Sequence, residues 1–449
     1  DAASLLFTEK HITSDLTLPT IGASGTTISW KSSNPSVLSN EGKVTRPKKG
    51  AADEEVTLKG TVKMGDYAKA RKFAFVVLAE SEMGPTKEFA LDQVELLDDY
   101  YLTAQNSDIE FLKKFDNDRL LSRFRETAGL DTKKIAPYGG WEDGWLGGHS
   151  VGHYLTAIAQ AVKATGNADL KEKSKQLIKG LAECQNKLGT GFIFGAKIET
   201  EGYVEKQFDI LEGKTTGKTW VPWYNMHKML TGLVDAYKYT GNKQALEVAK
   251  KLGDWIYNRV SKWDAGTQGR VLGTEYGGMN DCLYELYLCT RDSKHLEAAH
   301  KFDEPNLYKT VAKGGKNCLN GKHANTTIPK FLGALKRYVV LEQTGELTKD
   351  DEAYLTNVEK FFDIAVTRHA YITGGVSVME HFRKDNNQDG TRTQTNCESC
   401  CAHNMLKMAK ELYKVTGDKK YADYYETTLR NSIMGAVKSE SGAAAYFIP

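Results

Sequence analysis

Apolar positions change their rhythm near residue 80. Before it, short β-prone runs alternate with turn clusters. In "TTISWKSSNPSVLSNEGKVTRP" the breaks fall at Ser33-Asn34-Pro35 and Asn40-Glu41-Gly42, and Val56-Thr57-Leu58 and Phe73–Leu78 read as two further strands. "ESEMGPTKEFAL", Glu80 to Leu91, is the change of register. Beyond it Leu91, Val94, Leu96, Leu97 and Tyr100 begin a stripe spaced for one helix face. The helical part then repeats itself. In "AIAQAVKATGNADL", "GLVDAYKYTGNKQAL", "ELYLCTRDSKHL", "RYVVLEQTGELT" and "ELYKVTGDKKYA" an apolar helix ends at Thr165, Thr240, Thr290, Thr344 or Thr416, and a second helix follows. Gly accepts the left-handed conformation that closes a helix, and a neighbouring Asn or Asp starts the next. Five hairpins argue for stacked helix pairs. The intervals between those threonines, 75, 50, 54 and 72 residues, are too irregular for an open solenoid, so the pattern predicts a closed (α/α)6 toroid. The fold class is thus multidomain: an all-β sandwich over residues 1–80, a linker over 81–90 and an all-α toroid over 91–449.

Composition sharpens this little. The 449 residues are 40% hydrophobic and 26% charged, which suits folded domains. Sixty basic residues stand against 58 acidic ones, a net charge of +2, so neither nucleic acid nor an anionic membrane is expected as partner. No apolar run approaches the ~20 residues that span a bilayer. The chain starts at Asp1 rather than Met, so a leader or tag is expected to have been removed. Seven cysteines are too sparse for a disulfide scaffold.

Four stretches concentrate unusual residues, and loops at one end of a helical ring are where chemistry gathers. "YGGWEDGWLGGHSVGHYL" carries Trp141, Glu142, Asp143, His149 and His153. His149 and His153 share a helix face, but the Glu of the HExxH zinc pattern is absent, so sugar contact or core packing is the better reading. Trp141 is suited to stack on a sugar ring. "TWVPWYNMHKML" places His227, and "NGKHANTTIPKFLGAL" places His323, at helix starts. The fourth stretch runs from Glu380 and His381 through a polar loop to "TQTNCESCCAHNM".

That last segment packs Cys397, Cys400 and Cys401 around Glu398. Met405, Leu406, Met408, Ala409 and Leu412 form a helix face behind it, so the cluster is expected at a helix N-terminus, where the dipole lowers thiol pKa. Cys397 and Cys401, four apart, would pair only with strain. The thiols are either small buried hydrophobes or, with Glu398, part of a zinc site, which needs about four ligands.

Taken together, "GGWE", "GGHSVGHYL", "VPWYNMHK", "GGMND", "NGKHANTTIPK", "ITGG" and "CESCCAHNM" resemble the β-L-arabinofuranosidases of glycoside hydrolase families 127 and 146, from about Leu91 onward. The Trp and the "SSNPSV" turn of the first 80 residues resemble a bacterial Ig-like domain. The resemblance implies an (α/α)6 barrel followed by a β-sandwich, which is expected to lie outside this sequence. It implies retaining release of terminal β-L-arabinofuranose from plant glycans, with a zinc ion held by one Glu and three Cys. Glu398 and Cys400 match the Glu-x-Cys ligands, with Cys397 and Cys401 as local substitutes. Glu380 matches the acid/base. His227, His323 and either His149 or His153 match positions near the sugar. The family's other two zinc cysteines, an adjacent pair that includes the nucleophile, have no counterpart before Pro449, so the nucleophile is expected beyond it. A plant-polymer substrate and an Ig-like module imply a secreted or cell-surface bacterial protein.

Two competing readings remain. One is a metal-independent hydrolase or lyase of the same fold using two carboxylates, Glu142 or Asp143 with Glu380. The other is a non-catalytic glycan-binding protein of the cell surface.

Overall fold

The computed structural model describes residues 1, 5, 7, 10–48, 51–79, 86–196, 203–438 and 441–448. The expected linker at 81–90 falls partly outside them. The chain divides into two compact units, Asp1–Lys87 with Tyr413–Tyr421, and Glu88–Leu412 with Ala422–Pro449.

The first unit is built on one four-stranded sheet in the order β1-β4-β3-β2. Its strands are β1 (His11–Ile12), β2 (Thr27–Ser32), β3 (Glu54–Met64) and β4 (Tyr67–Val77). β1 runs parallel to β4, and the other pairings are antiparallel, with Thr27 opposite Lys63 and Glu54 opposite Val77. Alternation decides the buried face: Val56, Leu58, Phe75 and Val77 join Ile12 and Leu38 in one core. The two strands expected after Ser33 are the cores of β3 and β4.

Beyond the sheet the described residues form six helical hairpins: α1 (Asp99–Lys113) with α2 (Asn117–Thr127), α3 (His149–Thr165) with α4 (Ala168–Leu188), α5 (Pro222–Thr240) with α6 (Lys243–Val260), α7 (Met279–Thr290) with α8 (Ser293–His300), α9 (Ala324–Thr344) with α10 (Glu352–His369), and α11 (Ser399–Thr416) with α12 (Lys419–Thr428); the first five lie wholly in the second unit, and the turn of the sixth belongs to the first. The repeated Thr-Gly steps are their turns: Gly166, Gly241 and Gly345 cap α3, α5 and α9 in the left-handed conformation, and Asn167 and Asn242 accept the N–H groups of Leu170 and Ala245 in the first turns of α4 and α6. The apolar stripe expected from Leu91 starts later. Asp98 accepts the N–H groups of Tyr100 and Tyr101, which fixes the start of α1 at Asp99 and leaves Val94 and Leu97 exposed. The ring closes at its ends. Arg430 donates to the Tyr101 hydroxyl at 3.1 Å, and a side chain on Gly442 would meet Ser107 and Phe111.

Alternate helices, α3, α5, α7, α9 and α11, begin with the residues singled out above. α3 and α5 approach so closely that a Cβ on Gly152 would lie 2.0 Å from the Lys228 carbonyl oxygen. Backbone on backbone leaves no side chain to yield. Gly152→Ala is expected to cost about 1–3 kcal/mol in a denaturant titration, as overpacking does. An unchanged midpoint would show that the two helices separate freely.

Candidate active site

Glu380 is presented by a strained turn. Val378 and His381 exchange both backbone hydrogen bonds, at 2.9 and 3.1 Å, so Met379 and Glu380 are the two residues of a tight hairpin loop. Their φ values are +45° and +66°. Such a mirror-image turn normally takes Asn-Gly, and each non-glycine residue in the left-handed region costs roughly 1–2 kcal/mol. Neighbours hold it in place. The Ala324 N–H donates to the Glu380 carbonyl at 2.7 Å, and Gly321 and Phe382 add a second bond at 2.9 Å. Strain kept by surrounding structure is common at functional positions.

The same pairing brings His323 against Glu380. His323 is the N-cap of α9, and its Nδ1 accepts the Thr326 N–H at 3.1 Å. An acceptor Nδ1 puts the imidazole proton on Nε2, which lies 3.3 Å from Glu380 Oε2. His323 therefore donates to Glu380.

Glu398 sits at the foot of α11 and is 1% exposed. Its N–H donates to the Ser377 hydroxyl at 3.0 Å, and its Oε2 receives the Cys401 thiol at 3.3 Å. Burial raises its pKa, only partly offset by hydrogen bonds from Cys401, Cys400 and Tyr446, and the Glu380 charge raises it further. The thiols do not behave as their place at a helix start predicts. Burial first, then the Glu398 charge, pushes Cys400 up to about 12, and Cys401 is raised too. Desolvation outweighs the dipole. Cys397 precedes the helix with φ +52°, so it does not share a face with Cys401; its sulfur takes a hydrogen bond from the Thr373 hydroxyl at 3.7 Å. All seven cysteines are free.

The residue that joins these parts is Tyr446, which sequence reasoning missed. After the short hairpin of β5 (Val437–Lys438) and β6 (Ala443–Ala444), the chain lies alongside residues 396–399: Ser399 donates to the Tyr446 carbonyl and Ile448 to that of Asn396, both at 2.9 Å. The Tyr446 hydroxyl is thereby held 2.7 Å from Glu380 Oε1 and 3.0 Å from Glu398 Oε1. One phenolic proton serves two carboxyl groups. The hydroxyl donates to one of them at a time and lies closer to Glu380.

The predicted histidines divide. His227 is buried, its Nδ1 accepting the Gly278 N–H at 3.0 Å, and burial holds its pKa well below the ordinary value. His149 is bound by the Leu146 carbonyl at 2.6 Å and by Glu142 at 3.0 Å. His153 and His403 reach water within the ring but lie deep among protein atoms. That crowding, with the charges of Lys228 and Lys407, keeps both imidazoles neutral, His403 at about 4. Lys228 Nζ lies 4.8 Å over the Tyr224 ring, and burial lowers its pKa to about 8. Among the described residues no carboxylate pairs with it within 4.0 Å. It was missed because a Lys on an apolar stripe reads as a solvated edge. Trp141 is 60% exposed, its ring face open to solvent. The carboxylates of the competing reading are otherwise engaged: Glu142 accepts the N–H groups of Gly148 and Ser150 at the head of α3, and Asp143 pairs with Arg123 at 3.1 Å.

Glu398, Cys400 and Cys401 have the donor chemistry of a zinc site. Glu398 is also a buried carboxylate with no basic side chain within 4.0 Å among the described residues, so its pocket fits a cation. The fit is to part of a shell. The only group of three donors within 4.8 Å of one another among the described residues is elsewhere, at Asp254, Asp292 and His295.

A sequence model described as β-L-arabinofuranosidase, GH127 catalytic domain, matches residues 93–449, and one of an atrophied bacterial Ig domain matches residues 5–80. Among solved structures the chain is similar to a GH127 β-arabinofuranosidase, at 18% identity and TM-score 0.59, covering 82% of this chain and 57% of that one. It is also similar to a GH127 β-L-arabinofuranosidase from Geobacillus stearothermophilus T6, at 16% identity and TM-score 0.57, covering 79% and 58%. The chain thus spans less than three-fifths of the length of either. At these identities the likeness establishes the fold, including the helical ring. No curated protein matches.

The raised Glu398 pKa has a signed consequence for stability. As pH rises above the ordinary 4.5, the unfolded chain releases this proton before the folded protein does. Metal-free wild type therefore loses stability relative to Glu398→Gln from pH 4.5 upward, by ~1.4 kcal/mol for each unit of elevation, until the folded value is passed. Denaturant titrations at several pH values check this, and parallel profiles would contradict it.

Proposed function

The chain belongs to the GH127 β-L-arabinofuranosidase family, and from that premise we propose that it releases terminal β-L-arabinofuranose from plant-derived glycans by a retaining mechanism centred on Glu380. The observation that carries this reading is the Tyr446 hydroxyl held between Glu380 and Glu398. Those two oxygens stand no farther apart than the two hydrogen bonds laid end to end. Where Glu398 itself attacks, that is close to the ~5–5.5 Å of retaining glycosidases and short of the ~6.5–9.5 Å that admits a water for inversion; where a thiol attacks, it keeps the acid/base beside the pocket that carries the thiols.

Glu380 is the acid/base. In its protonated form it gives a proton to the departing glycosidic oxygen as a thiolate bonds to the anomeric carbon, and as the carboxylate it takes a proton from the water that then displaces that thiolate. His323 Nε2–H and the Tyr446 hydroxyl fix the carboxyl plane from two sides, which keeps the proton aimed at one position. Tyr446 has its own pKa raised, by burial and by its bond to Glu380, so it stays protonated as it passes a hydrogen bond between the two glutamates. Glu398 and Cys400 would hold zinc, with Cys401 beside them and Cys397 as the less apt substitute. A bound zinc supplies a deprotonated thiol at neutral pH. Within the ring, Lys228, His153, His227 and the exposed Trp141 offer one ammonium, two neutral imidazoles and a ring face to a sugar's hydroxyls and C–H groups. A glycan substrate of plant origin fits a protein that works outside the bacterial cell or at its surface.

A metal-independent reading draws support from the same Glu380–Glu398 separation, with Glu398 itself attacking in place of a thiol. A strong chelator separates the two: hydrolysis is lost under the zinc reading and kept under the two-carboxylate reading. Binding of arabinosides without any turnover would favour the non-catalytic reading instead.

Glu380→Gln is expected to lower kcat on a β-L-arabinofuranoside with a poor leaving group by about 10²–10⁴-fold, with the circular dichroism spectrum and bound metal unchanged. Retained activity in that variant would remove Glu380 from the mechanism.

A further inference from the structure

A second group of ligating side chains lies outside this site, where helix α6 meets the turn between α7 and α8. Asp254 is on α6, Asp292 is the N-cap of α8, and His295 is in the first turn of α8. One donor atom from each lies within 4.8 Å of the others. Three nearby polar groups alone would mean little. The state of His295 makes the difference.

His295 is completely buried, and its Nε2 has no hydrogen-bond partner. Its other nitrogen fixes the tautomer. Nδ1 lies 2.7 Å from the Thr290 hydroxyl oxygen. That hydroxyl has one proton, which goes to the Leu286 carbonyl at 3.0 Å, and its oxygen already accepts the Asp292 N–H at 3.3 Å. With the hydroxyl proton on Leu286, the hydrogen-bond pattern assigns Nδ1 as the donor to Thr290 and leaves Nε2 a bare lone pair. The lone pair faces Asp254 Oδ1 at 4.0 Å. An electron pair pointing at a carboxylate inside a protein, with no proton between, is an unmet electrostatic demand. Burial opposes protonation of this imidazole.

We propose that Asp254, Asp292 and His295 bind a divalent cation that pins α6 to the α7–α8 turn. A neutral imidazole whose far nitrogen is anchored by a hydrogen bond is the usual form of a metal-ligating histidine. One imidazole with two carboxylates suits a borderline ion such as Zn²⁺ or Mn²⁺ better than Ca²⁺ or Mg²⁺. Lys294 reaches Asp254 at 3.5 Å from a half-exposed position. It is a weak, solvated partner that an ion at Asp254 would displace. Asp292 keeps one oxygen on the Lys294 N–H as the helix cap, which leaves the other for the ion.

The site is tested on the whole chain carrying Cys400→Ser, so that any ion at Glu398 is weakened. Co²⁺ is titrated as an optical probe and Zn²⁺ uptake is measured by equilibrium dialysis and elemental analysis. The expected result is about one ion per chain, no thiolate-to-cobalt charge-transfer band, and a zinc-dependent rise in Tm. Adding Asp254→Asn should weaken binding by roughly tenfold or more and abolish that rise, without changing the Tm in chelator. Asp254 is exposed enough that this change does not threaten the core, whereas His295→Gln would. Uptake and Tm rise that survive Asp254→Asn would overturn the proposal, as would a chain that takes up no ion.

Discussion

A phenolic hydroxyl carries one proton, and Tyr446 faces two carboxyl groups. That constraint organises the centre of the molecule. Two ionised glutamates at those distances would repel each other across an oxygen that can satisfy only one of them. One proton shared among the three groups eases this: burial raises the pKa of Glu398 at the foot of α11, and Glu380, on the more open side, lies within hydrogen-bond distance of both Tyr446 and His323. The surrounding structure supports this. The mirror-image turn aims Glu380, α9 orients His323 through its own cap, and the terminal strand-like segment supplies the hydroxyl. Each comes from a different segment of the chain.

How much of this was legible depended on how locally each feature is encoded. The hairpins were readable because a Thr-Gly step followed by Asn or Asp is a local signal. The sixth pair, α1 with α2, was missed because its turn at Lys114-Phe115-Asp116 has no such glycine. Candidate carboxylates and histidines stood out because polar, titratable residues at helix starts are rare in an apolar repeat. Their division of labour did not. His149 and His153 are indistinguishable in sequence, yet one is bound to Glu142 and a carbonyl while the other opens to the lumen. The strain at Met379-Glu380 was invisible because nothing in "SVMEHF" resembles the Asn-Gly of such turns. Tyr446 was invisible because its role depends on pairing between segments about fifty residues apart.

The cysteine cluster shows how burial can reverse a local expectation. At a helix N-terminus a thiol should ionise more easily, yet Cys400 and Cys401 are pushed the other way by desolvation and by Glu398 beside them. A pocket that gathers a buried carboxylate and two reluctant thiols, without a lysine or arginine to pair with them, is poorly satisfied by protein groups alone. A cation would resolve it. The imidazole of His295 poses the same problem on a smaller scale and in a different chemistry, with nitrogen and oxygen donors rather than sulfur.

The stereochemistry of hydrolysis tests the central claim most directly, because a double displacement with Glu380 as acid/base commits to one outcome. A β-L-arabinofuranoside is mixed with the protein, and the anomeric protons are followed by NMR before mutarotation. The account predicts that the β anomer of L-arabinofuranose appears first and that the α anomer grows in only afterwards. First appearance of the α anomer, or no release of arabinose at all, would contradict it.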